Sequence, residues 1–135
     1  MISQETKLRV RYGETDQMGY VYYGNYAQYY EVGRVELMRK LGMSYRDIEE
    51  SGVMLPVLDF SIRYFKPAFY DEELTIITSI REIPSVRITF HYQTRNTSGA
   101  LLNEGQTTLV FVNKSTNKPQ ACPPALAQAI RAKID

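Results

Sequence analysis

Residues 23–41 spell out one long helix that a sheet has to cover. Tyr26, Tyr30, Gly33, Leu37 and Leu41 recur at spacings of three and four, while Gln28, Glu31, Arg34 and Arg39 fall mostly on other faces. Glu36 and Lys40 make a well-oriented i,i+4 pair, and Gly42 stands where a C-cap is expected. Apolar and aromatic residues cover so much of this helix that wide burial is expected. The covering strands are legible on both sides of it. Leu8, Val10 and Tyr12 alternate with Lys7, Arg9 and Arg11 before the helix. After a short helix or turn at residues 44–52, three runs alternate in the same way: residues 58–64, 74–80 and 86–92. A further strand is expected at about 101–112, after the turn residues Asn96, Thr97, Ser98 and Gly99. Pro67 predicts a bulge or a sheet edge. Residues 113–124 read as a polar loop, and Leu126, Ile130 and Ile134 suggest a last short helix. Strand, long helix, four strands and a short helix make an α+β arrangement: a central helix with an antiparallel meander around it.

The 135 residues fit one domain spanning 1–135, large enough to bury a core. A net charge of +1 with no basic run gives no support for a nucleic-acid partner. No apolar stretch approaches the length of a membrane span, and Met1-Ile2-Ser3-Gln4-Glu5 does not read as a signal peptide. Cys122, the single cysteine, has no internal disulfide partner, so a reducing, cytoplasmic compartment is expected. Six of the eleven tyrosines fall between Tyr20 and Tyr30. An apolar ring with a polar tip suits a half-wet pocket or a subunit interface as well as a core. The helix is too apolar for one sheet face alone, so a second copy of the chain is expected to complete its burial.

Chemistry concentrates in Asp16-Gln17-Met18-Gly19-Tyr20-Val21-Tyr22-Tyr23-Gly24-Asn25-Tyr26. One carboxylate follows a strand and precedes the long helix. A strand end fixes a side chain, and a helix start offers unpaired N–H groups with partial positive charge. A base or nucleophile beside an oxyanion site is the minimum for attack on an activated carbonyl. Asp16 also reads as a plain turn residue, and Gly19 as either a turn glycine or a place where a ligand meets the backbone. His91, the only histidine, shares a strand face with Arg87, Thr89 and Gln93 and reads as a solvated surface residue. No serine sits in a nucleophile elbow, one histidine and one cysteine give no zinc site, and no phosphate-binding glycine loop is present.

The pattern Asp16-x-x-Gly19-x-x-Tyr22-x-x-x-Tyr26 leading into a long helix resembles the hotdog-fold acyl-CoA thioesterases, in particular the 4-hydroxybenzoyl-CoA thioesterase and YbgC-like branch. A second segment, Tyr64-Phe65-Lys66-Pro67-Ala68-Phe69-Tyr70-Asp71-Glu72-Glu73-Leu74, agrees with that family's strand, Pro-Ala turn and aspartate. The resemblance implies a hotdog fold assembled as a homodimer or homotetramer. It implies hydrolysis of an acyl-CoA thioester to carboxylic acid and thiol, without a cofactor or metal. Acyl carrier protein as the thiol carrier, or a non-hydrolytic thioester-binding protein, are the alternatives. Asp16 then matches the catalytic carboxylate, acting on the thioester carbon or on a water. The backbone N–H of Tyr23 matches the oxyanion donor, with Gly24 and Asn25 in the same first turn. Gly19, Tyr22, Gly24 and Tyr26 are expected to line the substrate, and Arg87, with Arg81 nearby, to meet CoA phosphates. Many YbgC-like enzymes carry histidine where Tyr23 stands, so chemistry resting on that histidine is unavailable here.

Overall fold

The structure, a computed structural model, describes residues 1–134. The chain runs through β1 (Ile2–Arg9), a 3-10 turn at Tyr12–Glu14, a second at Tyr23–Asn25, α1 (Tyr26–Lys40), α2 (Tyr45–Glu50), β2 (Val53–Met54), β3 (Val57–Tyr64), β4 (Glu73–Ile80), β5 (Arg87–Arg95), β6 (Leu101–Val110), β7 (Val112–Asn113), β8 (Lys118–Pro119) and α3 (Pro124–Lys133). β1, β4, β5, β6 and β3, in that order, form one antiparallel sheet, and α1 lies against β1, β4 and β5. This is the hotdog arrangement: a central helix with a meander around it. Among the described residues no helix is long and apolar enough to cross a membrane.

The alternation on β4 and β5 puts Leu74, Ile76, Thr78 and Ile80 with Ile88, Phe90, Tyr92 and Thr94 on the helix side, all buried. Helix α1 answers with Tyr26, Tyr29, Tyr30, Gly33, Arg34, Leu37 and Met38. Tyr30 stacks on Tyr92 at 4.2 Å between centroids, and Phe60 lies across it at 5.8 Å. Two glycines let these layers approach. A Cβ on Gly33 would run into Thr78 and Ile76, and one on Gly105 would sit 2.5 Å from the Ser61 carbonyl and 2.9 Å from the Tyr30 ring.

Several expectations change in detail. The first strand begins at Ile2, earlier than its alternation predicts, and Tyr12 leaves it for an exposed turn. The first three residues of the expected helix form a 3-10 turn, as is common where a helix start lacks a side-chain cap. Arg34 is not on a solvent face. It is buried, its Nε donating to Tyr45 Oη at 2.6 Å and its Nη1 to Tyr92 Oη at 3.4 Å. Val86 precedes its strand and is exposed, and the last long strand ends at Val110. The loop after it contains a hairpin, β7–β8, which pairs with β2. Near Pro67 the sheet does break: Phe65 N and Lys66 N both donate to the Leu102 carbonyl. β3 is an edge strand whose side chains are almost all exposed, including Val57, Leu58, Phe60 and Tyr64.

Candidate active site

The two sequence segments that carry the resemblance are walls of one cavity. Residues 10–22 and 64–72 are stitched together by the backbone: Val10 N donates to Glu72 O at 3.0 Å, Asp71 N to Val10 O at 3.0 Å, and Val21 N to Ala68 O at 2.9 Å. Tyr20 and Phe69 add an isolated antiparallel bridge, with their rings edge-on at 5.5 Å. Ala68 is fully buried at the seam, which explains a small residue after Pro67. The cavity, about 430 Å³, is walled by Asp16, Met18, Tyr20, Val21, Tyr23 and Tyr26 on one side and Tyr64, Phe65, Lys66 and Pro67 on the other. A wall of aromatic and apolar side chains with one carboxylate and one ammonium is the usual chemistry of a small-molecule site.

Asp16 is half-buried and does two things at once. Its Oδ1 accepts from Met18 N at 2.9 Å and Tyr20 N at 3.2 Å, which is an Asx-type turn. Its backbone closes the same loop, with Gly19 N donating to Asp16 O at 3.0 Å and Asp16 N donating to Tyr20 O at 2.8 Å. Gly19 has φ +80, so the loop needs a residue without a Cβ there. The turn reading and the catalytic reading therefore coexist: Oδ1 fixes the carboxylate, and among the described residues nothing engages Oδ2. Tyr23 opens the 3-10 turn that runs into α1, so its N–H has no intrahelical acceptor and sits at the positive end of the helix.

Support for this pair comes from residues that the sequence does not single out. Glu14 Oε1 accepts from Arg11 N at 2.8 Å and from Tyr29 Oη at 2.9 Å. Its carbonyl accepts from Tyr22 N and from Asn25 Nδ2, both at 2.8 Å. Asn25 thus does not cap α1; its amide ties the helix start to the loop that carries Asp16. Glu14 has no motif to announce it, since its role depends on Tyr29 one turn into a helix. Burial, with the Glu14 carboxylate adding to it, raises the Tyr29 phenol well above its ordinary range. The Tyr26 phenol is pushed up to about 12, mainly by burial and further by Tyr64 and Glu72.

Of the expected site residues, the structure brings Asp16, Tyr23 and Tyr26 to the cavity wall. Gly19 shapes the loop behind Asp16, and Gly24 leaves room for the Tyr22 ring, which packs on the Tyr23 ring at 4.9 Å. Arg87 does not line this cavity. It begins β5, while Arg95 at the other end of β5 pairs with Thr75 on the Asp16 side of the sheet. It lines a separate groove with Arg81, Glu82, Thr89 and His91. His91 is half-buried there rather than fully solvated, and burial and Arg81 lower its pKa, with Glu82 opposing. Lys66, in contrast, is a cation on the cavity wall itself.

A family model for the thioesterase-like superfamily matches residues 10–130. YneP of Bacillus subtilis, provisionally named an acyl-CoA thioesterase, is 39% identical over 113 residues, 84% of this chain and 82% of its own length. The acyl-CoA thioester hydrolase YbgC of Escherichia coli O6:H1 is 31% identical over 119 residues, 88% of this chain and 89% of its own. The crystal structure of a DHNA-CoA thioesterase from Staphylococcus aureus superposes with a TM-score of 0.93 at 36% identity, covering 98% of this chain and 91% of that one. The family model covers most of the chain, and the chain belongs to the thioesterase-like superfamily.

Proposed function

We propose that this protein is a thioester hydrolase that cleaves an aromatic acyl-CoA to the carboxylic acid and free CoA. One observation carries the reading: Asp16, whose carboxylate the loop fixes, and Tyr23, whose N–H lies at the helix start, line the same cavity. Oxygen adds to the thioester carbon, supplied by the Asp16 carboxylate or by a water it deprotonates. Negative charge then builds on the carbonyl oxygen, where the Tyr23 N–H stabilises it. The C–S bond breaks and the thiolate leaves as CoA, taking a proton from solvent or from the Asp16 carboxyl that accepted the water's; where Asp16 itself attacked, water then hydrolyses the acyl–Asp16 anhydride to the acid. The relatives named for acyl-CoA substrates support this reaction. The aromatic acyl group is supported by the rings of Tyr20, Tyr23, Tyr26, Tyr64 and Phe65 around the cavity.

The working unit is a homodimer joined along β3. An edge strand with exposed Val57, Leu58, Phe60 and Tyr64 is a template for pairing with a second copy. Antiparallel pairing of two such edges sets one protomer's Tyr64 beside the partner's Val57 end. Val57 pairs with Leu109, and Leu109 with Ile88, so the partner's Arg87 comes to the same end, about 14 Å away at three strand spacings. Arg87 therefore meets CoA only from the partner, whereas Lys66 is available within one subunit. The lone, buried Cys122 supports a reducing compartment.

A panel of acyl-CoAs and matched acyl carrier protein thioesters, followed by thiol release, tests the reading. Turnover is expected with aromatic acyl-CoAs at rates above those with short aliphatic ones. No thiol release from either carrier set would overturn it in favour of a non-hydrolytic binding protein.

A further inference from the structure

The wall that carries Asp16 also carries one cation that the attack on the thioester does not use. Among the described residues lining the cavity, Asp16 is the only acid and Lys66 the only cation; the rest are aromatic or apolar. Lys66 reaches that wall through an irregularity just beyond β3. Phe65 N and Lys66 N both donate to the Leu102 carbonyl, at 2.8 and 3.0 Å, so two residues stand opposite one. Such a bulge breaks the alternation of a strand and re-aims a side chain. Tyr64, Phe65 and Lys66 accordingly border the same cavity, where an unbroken strand would send Phe65 to the other face. Pro67 has no N–H with which to resume the ladder, and the Ala68 carbonyl accepts from Val21 N at 2.9 Å, so the backbone is tied on both sides of Lys66. Among the described residues no carboxylate pairs with the Lys66 ammonium.

We propose that the Lys66 ammonium binds the carboxylate that hydrolysis leaves in the cavity, and so speeds the reaction by balancing negative charge as it builds there. This deepens the thioesterase reading and rests on it. The thioester arrives neutral at its reacting carbon, and the Asp16 carboxylate and the Lys66 ammonium then offset one another across the wall. Each turnover replaces the thioester by an acid whose carboxylate sits beside that of Asp16. Two like charges in an apolar cavity repel each other and lose hydration. A single ammonium on the same wall relieves both effects. While the cavity is empty Lys66 is exposed, so its charge stays hydrated and costs little to hold there. Once an acyl ring displaces the water, the attraction between ammonium and carboxylate is less screened. The CoA phosphates stand at the far end of the pantetheine arm from the thioester, whereas Lys66 shares a wall with Asp16 and Tyr23. The charge it meets is therefore that of the acyl end.

The test compares wild type, Lys66→Met and Lys66→Arg in two measurements. Calorimetry reads the binding of benzoate and of its neutral counterpart benzamide, and thiol release gives kcat and KM for benzoyl-CoA and for benzoyl-pantetheine, which lacks every phosphate. Lys66→Met is expected to weaken benzoate binding about tenfold or more, as the loss of a charge-assisted hydrogen bond does, and to leave benzamide binding unchanged. Lys66→Arg should keep most of the benzoate affinity, since it keeps the charge. In Lys66→Met kcat should fall about tenfold with KM nearly unchanged, because the substrate carries no charge for Lys66 to meet until the reaction begins. The fall should be the same on benzoyl-pantetheine. Equal losses of benzoate and benzamide would show that Lys66 acts by shape, and a raised KM confined to benzoyl-CoA would show a phosphate contact; either result overturns the assignment. So does a wild type that binds no benzoate, or a benzoate affinity unchanged in Lys66→Met. Absence of thiol release by the wild type, with Lys66-dependent benzoate binding intact, would sink the hydrolase reading and leave the carboxylate site standing.

Discussion

Asp16 shows how one side chain can serve fold and chemistry together. Oδ1 accepts from two loop amides, and the residue so fixed lines the cavity. This coupling makes Gly19 a sensitive position. With φ +80, Gly19→Ala places an L-residue in the left-handed region, at about 1 kcal/mol. Denaturant unfolding should register that loss, and thiol release should fall as the loop re-aims the carboxylate. Normal stability and normal turnover would contradict the account of the loop. Glu14 is the second sensitive residue. Glu14→Ala releases the Arg11 N–H and the Tyr29 hydroxyl, a loss of about 1–3 kcal/mol for the groups left unpaired. A stability change within a few tenths of a kcal/mol would show that Glu14 does not brace the helix start.

At the scale of elements, helix and sheet meet through small residues. Gly105→Ala drives a Cβ against the Ser61 carbonyl and the Tyr30 ring, so β3 must move away from β6. A loss of about 1–3 kcal/mol in urea unfolding is expected, as for overpacking elsewhere; an unchanged midpoint would mean the strands yield freely. The elements themselves were largely legible in the sequence, because α1, β4 and β5 each bury one face and so print their periods on it. The hairpin β7–β8 was not legible: its strands have two residues each, and its turn rests on Asn113 Oδ1 accepting from Ser115 N and Thr116 N. Arg34 was misplaced because its charge suggests solvent. Its burial depends on Tyr45 and Tyr92, phenols from two other elements that no helical spacing reveals. The site divides in the same way. Asp16, Tyr23 and Tyr26 follow from a strand end and a helix start, whereas the seam with residues 64–72, the brace at Glu14 and the cation Lys66 exist only after folding.

The whole molecule presents more apolar surface than a monomer of this size has reason to expose. Val57, Leu58, Phe60, Tyr64, Phe65 and Phe69 cluster on the β3 edge and the turn that follows it. Light scattering is expected to give at least twice the 15.6 kDa chain mass, and Val57→Lys to shift the protein toward a single chain with reduced turnover. An active, stable monomer at micromolar concentration would contradict the edge-paired dimer. Hydrolysis of an aromatic acyl-CoA by an Asp16 carboxylate opposite the Tyr23 amide is the central claim, and Asp16→Asn tests it most directly. Asparagine keeps the oxygen that accepts from Met18 N and Tyr20 N, so the loop should hold, while the base or nucleophile is gone. Thiol release by the folded Asp16→Asn protein should fall by at least about a hundredfold; turnover near that of the wild type would contradict the mechanism.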